Sequence, residues 1–179
     1  MAGQRLTDKS ALSNHTGSGD LYMIVDVSDT TGSAAGTSKK LDSKFVIQTD
    51  KISVSTGELG ALKTTPKTLV SAQGSGYAVV PLNFTILNTY SGPKETNKIS
   101  LLFGHTGTND VNYACATIGQ YMFNVVTSST YITSNAGGAT QQSKTATIDN
   151  IPLYLSADGN FAGGFTMDVY VTYQVILLS

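Results

Sequence analysis

The strongest hydrophobic periodicity lies at the end of the chain. Phe165, Met167, Val169, Val171, Tyr173, Val175 and Leu177 take every second position, with Thr166, Asp168, Tyr170, Thr172 and Gln174 between them. Successive side chains of a strand point to opposite faces, so this pattern predicts a long half-buried strand of the kind a sandwich places at its centre. At the tip, Ile176 and Leu178 make the second face apolar too. A doubly apolar terminus is expected to be covered, by another sheet or by another subunit.

Shorter runs of the same kind precede it. Val80, Leu82, Phe84 and Ile86 alternate with Pro81, Asn83 and Thr85, which predicts a second long strand. Pro81 cannot donate to a ladder, so that strand should lie at an edge or carry a bulge. Leu21–Val27, Ile99–Phe103, Tyr131–Thr133, Thr145–Ile148 and Leu153–Leu155 read as short strands between Gly, Asn and Ser clusters. In 113–126, Ala and Met favour helix while Gly119 and the β-branched residues favour strand; a strand is expected. Lys39-Lys40-Leu41-Asp42 leads into a strand near Phe45-Val46-Ile47, and Ile52–Val54 forms another. Residues 1–20 read as a polar arm, and Thr56–Pro66 as the joint between two parts. The expected division is 1–62, a strand-rich module too small for independent stability, and 63–179, a β-sandwich or jelly roll.

Composition supports an all-β chain. Of 179 residues, 40% are hydrophobic, enough for a core, but only 13% are charged. Ser and Thr supply 43 residues, against two Glu and one Arg, a poor inventory for the wet face of a helix. The net charge of −1 with no basic block leaves no electrostatic footprint for nucleic acid or an anionic membrane. No apolar run approaches the roughly 18 residues of a membrane span. Met1–Ser10 lacks a signal peptide's apolar stretch, so synthesis in the cytosol is expected. The single Cys115 forbids an internal disulfide and any multi-cysteine zinc site.

Candidate chemistry is sparse. The two histidines, His15 and His105, sit in a polar arm and a Gly-Thr loop. Ala72-Gln73-Gly74-Ser75-Gly76 lacks the spacing of a serine elbow and reads as a hairpin turn. Cys115, between two alanines, reads as a small core residue. Asp26, Ser28, Asp29 and Thr30 offer hard oxygen ligands, but the glycine falls one place late and no Glu closes a calcium loop. Strand-terminating Asx turns fit them better. Lys39-Lys40 is a solvated pair able to grip an acidic partner. No Walker loop, dinucleotide fingerprint or HExxH occurs, so no cofactor and no metal are expected.

The segment Asp20–Thr31, with its DVSDT turn, and Ala35–Leu41, with its GTSKK return, resemble a module near the N-termini of tailed-bacteriophage virion proteins. Gly163–Val175 resembles the closing strand of trimeric phage β-sandwich domains, as does Pro66–Val70 with its Gly74-Ser75-Gly76 turn. The resemblance implies a virion protein made in the host cytoplasm and displayed on the particle exterior, a homotrimer and not an enzyme. The absence of a long shaft favours a capsid decoration protein, of cement or head-fibre type, over a tail fibre. On that reading 1–62 docks on the major capsid protein or another virion protein through Asp26, Asp29, Lys39 and Lys40. Residues 63–179 form a knob that trimerises through Val175, Ile176, Leu177 and Leu178. The alternative is a short tail-fibre protein recognising a receptor on the bacterial surface. A polysaccharide hydrolase is a third class, opposed by the chain's size, its two histidines and the lack of a β-helix repeat.

Overall fold

The computed structural model describes residues 21–32, 36–106, 114–120, 123, 127–136 and 148–178. The chain divides into two units between Val46 and Ile47. In the first, β1 (Leu21–Asp26) and β2 (Thr37–Asp42) form an antiparallel hairpin running in register from Leu21 opposite Asp42 to Asp26 opposite Thr37. Asp42 ends β2 by accepting the Lys44 main-chain N–H on its carboxylate at 3.0 Å. This turns Ser43–Phe45 into a short 3-10 helix. The strand expected at Phe45-Val46-Ile47 is therefore absent: the Asx turn claims the backbone first.

The second unit is an all-β sandwich of two four-stranded antiparallel sheets. Its strands are β3 (Gln48–Val54), β4 (Lys67–Val70), β5 (Tyr77–Tyr90), β6 (Leu101–Gly104), β7 (Ala116–Ile118), β8 (Thr130–Asn135), β9 (Leu153–Ala157) and β10 (Phe165–Leu177). The sheets run β3-β10-β5-β8 and β4-β9-β6-β7. Counted within this unit, the first, eighth, third and sixth strands share one sheet and the second, seventh, fourth and fifth the other. That order is the double Greek key of a jelly roll.

The alternation in β10 places it between β3 and β5, buried at every second residue from Phe165 to Val175. Pro81 sits in β5, an interior strand, because the ladder to β10 skips there: Thr172 faces Asn83 and Tyr173 faces Pro81. The bulge removes the need for the missing donor, and the β8 ladder begins only at Asn83. Phe84 of β5 and Phe103 of β6 join the sheets with ring centroids 4.2 Å apart. Phe123, Phe161 and Phe165 form a second aromatic cluster.

The expected joint at Thr56–Pro66, and with it the boundary at 62/63, is corrected. Residues 56–61 form a helix, α1 (Thr56–Ala61), with Ser55 as N-cap and Glu58 completing a capping box. Leu59 and Leu62 are wholly buried in the sandwich core, and β3 is an edge strand of its first sheet. The strand expected in 113–126 is represented by β7, and the one in 145–148 lies, but for Ile148, outside the described residues.

Candidate functional site

Three places hold the residues the sequence singles out. The first is the β1–β2 hairpin. Asp26 ends β1 by folding its carboxylate onto the following turn: Oδ1 accepts the Ser28 N–H at 3.0 Å, the Ser28 hydroxyl at 2.6 Å and the Asp29 N–H at 3.3 Å. Asp29 repeats the device on Thr31, accepting its N–H at 3.0 Å and its hydroxyl at 2.6 Å. Lys39 of β2 closes the loop with an ion pair to Asp29 Oδ2 at 2.5 Å. Thr37 donates its hydroxyl to the Asp29 carbonyl and accepts the Gly32 N–H.

These bonds hold the Asp29 carboxyl down at about 2, chiefly through Lys39 and then Thr31, and lower that of Asp26 through Ser28. Both carboxylates are engaged by their own turn, which is Asx-turn chemistry rather than a calcium loop. Of the four candidates the structure joins Asp29 to Lys39 and sets Asp26 at the strand end. The Lys40 main chain faces that of Met23.

The second place is the C-terminal end of β10. Val175 is 2% exposed and belongs to the core of its own sandwich, so it is withdrawn from any subunit interface. Leu177 is 65% exposed and Ile176 36%, leaving an apolar tip. The Leu178 N–H is bonded to the Gly76 carbonyl at 2.7 Å.

The third is the outward face of the sheet β3-β10-β5-β8 and the groove beside α1. The face is tiled by cross-strand polar pairs: Thr49 with Thr172 at 3.0 Å, and Asn83 donating to Asn135 at 3.0 Å. Asp168 accepts from Ser53 at 2.6 Å and pairs with Lys51 at 2.8 Å. Tyr131 stands 73% exposed opposite Leu87. The groove carries Glu58 and Asp168 among the hydroxyls of Ser53, Ser55, Thr89 and Thr166.

Two carboxylates in one groove is the inventory of a glycosidase, but such an enzyme needs one acid held protonated. Here Lys67, followed by Ser55, pulls Glu58 to about 2, and Lys51 with Ser53 lowers Asp168. Both are ionised at neutral pH, so neither is poised to donate a proton.

The remaining nucleophile candidates are placed structurally. Burial raises the Cys115 thiol, the opposite of activation. Ser75 lies in a turn between Gly74 (φ 98°) and Gly76 (φ 83°). That turn carries the chain from one sheet to the other rather than closing a hairpin. Among the described residues no cluster of three or more His, Cys, Asp or Glu gathers to hold a metal. Sequence reasoning passed over Glu95, a buried carboxylate that accepts main-chain N–H groups of Asn97, Ala162 and Gly163. Only its isolation as one of two glutamates marked it.

No family model matches the sequence, and no curated protein does. Among solved structures, the chain is similar to one from the cyanophage Pam1 capsid asymmetric unit, at 11% identity and a TM-score of 0.38 over 100% of both chains. It is also similar to one from the Israel acute paralysis virus, at 11% identity and 0.31 over 95% of this chain and 96% of that one. At such scores the reading of this chain rests on its own residues.

Proposed function

We propose that the chain is a non-enzymatic virion structural protein, a capsid decoration protein that binds the outer surface of a phage head. The observation that carries this reading is the two-unit build. A jelly roll with its own core follows a small hairpin whose loop is stiffened by Asx turns and an ion pair. Eight-stranded jelly rolls recur in viral capsid and lectin domains, a fold-level analogy that supports this reading. The paired and ionised carboxylates of the groove favour a binding over a catalytic reading.

In this proposal the hairpin unit, with Asp26, Asp29, Lys39 and Lys40, meets the major capsid protein or another virion protein. The sandwich projects and associates as a homotrimer through Ile176, Leu177 and Leu178, since closed trimers cover apolar surface that a small domain leaves wet. A second reading, a tail-mounted protein binding a host surface receptor, is favoured by the outward sheet face. Its polar pairs and the exposed Tyr131 suit an uncharged, hydroxyl-rich ligand.

Copy number tests the choice. Imaging of particles with this protein labelled is expected to show tens to hundreds of copies over the head. A handful confined to the tail overturns the decoration reading, and absence from the particle overturns both. Sedimentation of the purified chain is expected to give a trimer; a monomer at micromolar concentration removes the oligomer from the proposal.

A further inference from the structure

One row of side chains crosses the whole outward face of the first sheet. Ser53 of β3 stands opposite Asp168 of β10, Asp168 opposite Leu87 of β5, and Leu87 opposite Tyr131 of β8. Ser53, Leu87 and Tyr131 are exposed. At the β8 edge the row presents a tyrosine ring beside a leucine. At the β3 edge Ser53 and Asp168 belong to the groove beside α1.

The groove has a volume of ≈ 370 Å³, within the roughly 300–1,000 Å³ of small-ligand sites. Its two carboxylates bring no net charge, because Lys51 neutralises Asp168 and Lys67 neutralises Glu58. An ionised carboxylate has about four acceptor positions. Among the described residues, Asp168 accepts from Ser53 and Lys51, and Glu58 from Lys67 and from the Ser55 N–H and hydroxyl. Both keep room for a further donor. Thr166 and Thr89, opposite each other on β10 and β5, add hydroxyls that donate as well as accept.

This chemistry selects its ligand. An anion would meet two carboxylates, and a cation would have to displace two lysines. A wholly apolar ligand would cover the acceptors and give them no donors, a cost in desolvation. A sugar meets both ends of the row. Its hydroxyls donate to carboxylates and exchange bonds with threonines, and its C–H face lies on an aromatic ring. From Tyr131 to Asp168 is two strand spacings, about 10 Å. That is longer than one sugar ring, so the row takes more than one unit.

We infer that the Tyr131–Leu87–Asp168 row and the adjoining groove bind a neutral oligosaccharide of two or more units. Tyr131 carries the apolar face of one unit, while Asp168, Glu58, Thr89 and Thr166 hydrogen-bond the hydroxyls of another. The inference rests on the receptor-binding reading for the source of this ligand, a glycan of the bacterial surface. Imaging of labelled particles tests that reading and the binding experiment tests the site, so each can fail without the other.

The full chain is applied to an array of bacterial surface oligosaccharides, some neutral and some bearing uronate or phosphate, and affinities for the bound ones are measured in solution. Binding is expected to neutral chains, and to be stronger for di- and trisaccharides than for the constituent monosaccharide. Tyr131→Ala should weaken it about tenfold or more, as truncation of an anchoring aromatic does. Tyr131→Phe, which keeps the ring, should bind nearly as the wild type does. Thr166→Val should weaken binding severalfold at unchanged melting temperature. A preference for the anionic chains, no binding to any neutral one, equal affinity for the monosaccharide, or affinity unchanged in Tyr131→Ala or in Thr166→Val overturns the site. Should a variant not fold, the wild-type amide resonances decide. Ligand-induced shifts at Leu87, Tyr131 and Thr166 support the site, and shifts confined to other elements overturn it.

Discussion

Glu95 and Gly163 fit each other on both main chain and side chain. The buried Glu95 carboxylate accepts the Gly163 N–H at 2.8 Å, and a Cβ on Gly163 would fall 2.9 Å from the Glu95 nitrogen. The same oxygen takes the Ala162 N–H at 2.8 Å, while the other takes that of Asn97 at 2.7 Å. The carboxylate thus fastens the segment entering β10 to the segment ahead of β6. Glu95→Ala should leave three donors without their partner and lower stability by about 3 kcal/mol or more, since each orphaned buried group costs roughly 1–3 kcal/mol. Chemical denaturation reads this directly. A loss below 1 kcal/mol would mean that water replaces the carboxylate.

The neighbouring glycines make a sharper contrast. A Cβ on Gly164 would lie 2.5 Å from the Gly92 Cα, backbone against backbone, whereas one on Gly57 meets nothing within 4 Å. Gly164→Ala should therefore force the Ser91–Pro93 turn away from β10 and destabilise strongly. Gly57→Ala, in the first turn of α1, should stabilise by roughly 0.5 kcal/mol through the unfolded chain. Opposite shifts in melting temperature check the pair.

Asn88 is 1% exposed on the core side of β5, and neither atom of its amide has a hydrogen-bond partner among the described residues. An unsatisfied buried amide is a cost that an apolar residue of similar shape removes. Asn88→Leu should raise stability by about 1–2 kcal/mol, measured by the denaturation midpoint at unchanged slope. A fall would show that the amide is served by an ordered water, whose loss the leucine cannot repair.

What the sequence disclosed and what it hid follow from the range of the interactions. The period-two pattern of β10 is a local signal, and it named the central strand and its buried face as far as Val175. Pro81 was legible as an edge or a bulge; the pairing of Tyr173 with Pro81 selects the bulge. The helix at 56–61 carried a readable signal, Ser55 and Glu58 three apart, that was overshadowed by two glycines and a polar surround. The burial of Leu59 and Leu62 depends on partners distant in sequence, so no local pattern marks this segment as part of the sandwich. At the hairpin, the Asx turns were legible from DVSDT. The Asp29–Lys39 ion pair was not, because it depends on the β1–β2 register.

Acid should loosen that hairpin before neutral salt does. Asp29 is held at about 2, against 3.8 unperturbed, so its folded form binds fewer protons than its unfolded form. The contribution is present above 3.8 and is lost as pH falls through about 2. The amide of Thr31, bonded to the Asp29 carboxylate, should lose protection over this range, and in Asp29→Asn it should already be weakened at pH 7. The Lys39 partner is half exposed, so salt should weaken the pair only modestly. A Thr31 amide indifferent to both changes would show that the turn holds without its carboxylate.

The position of the unit boundary governs which truncated chain can be useful. A chain beginning at Leu62 would lose β3, an edge of the first sheet, along with the wholly buried Leu59. It would also lose the Ser53 contact to Asp168 and the hydroxyl bonds that Tyr173 makes to Gln48 and Asp50 at 2.7 and 2.9 Å. Removing one buried leucine alone costs roughly 2–5 kcal/mol, comparable with the whole stability of many domains, so that chain should fail to fold. A chain beginning at Ile47 keeps every strand of the jelly roll and should unfold in a single cooperative transition. If the hairpin unit carries attachment, as proposed, 47–179 should fold yet leave particles undecorated, while Asp29→Asn and Lys39→Ala in the full chain should weaken decoration without unfolding the sandwich. Co-sedimentation with particles lacking the protein measures all of these. Decoration by 47–179 equal to that of the full chain would move the attachment site onto the sandwich and end the anchoring role of the hairpin.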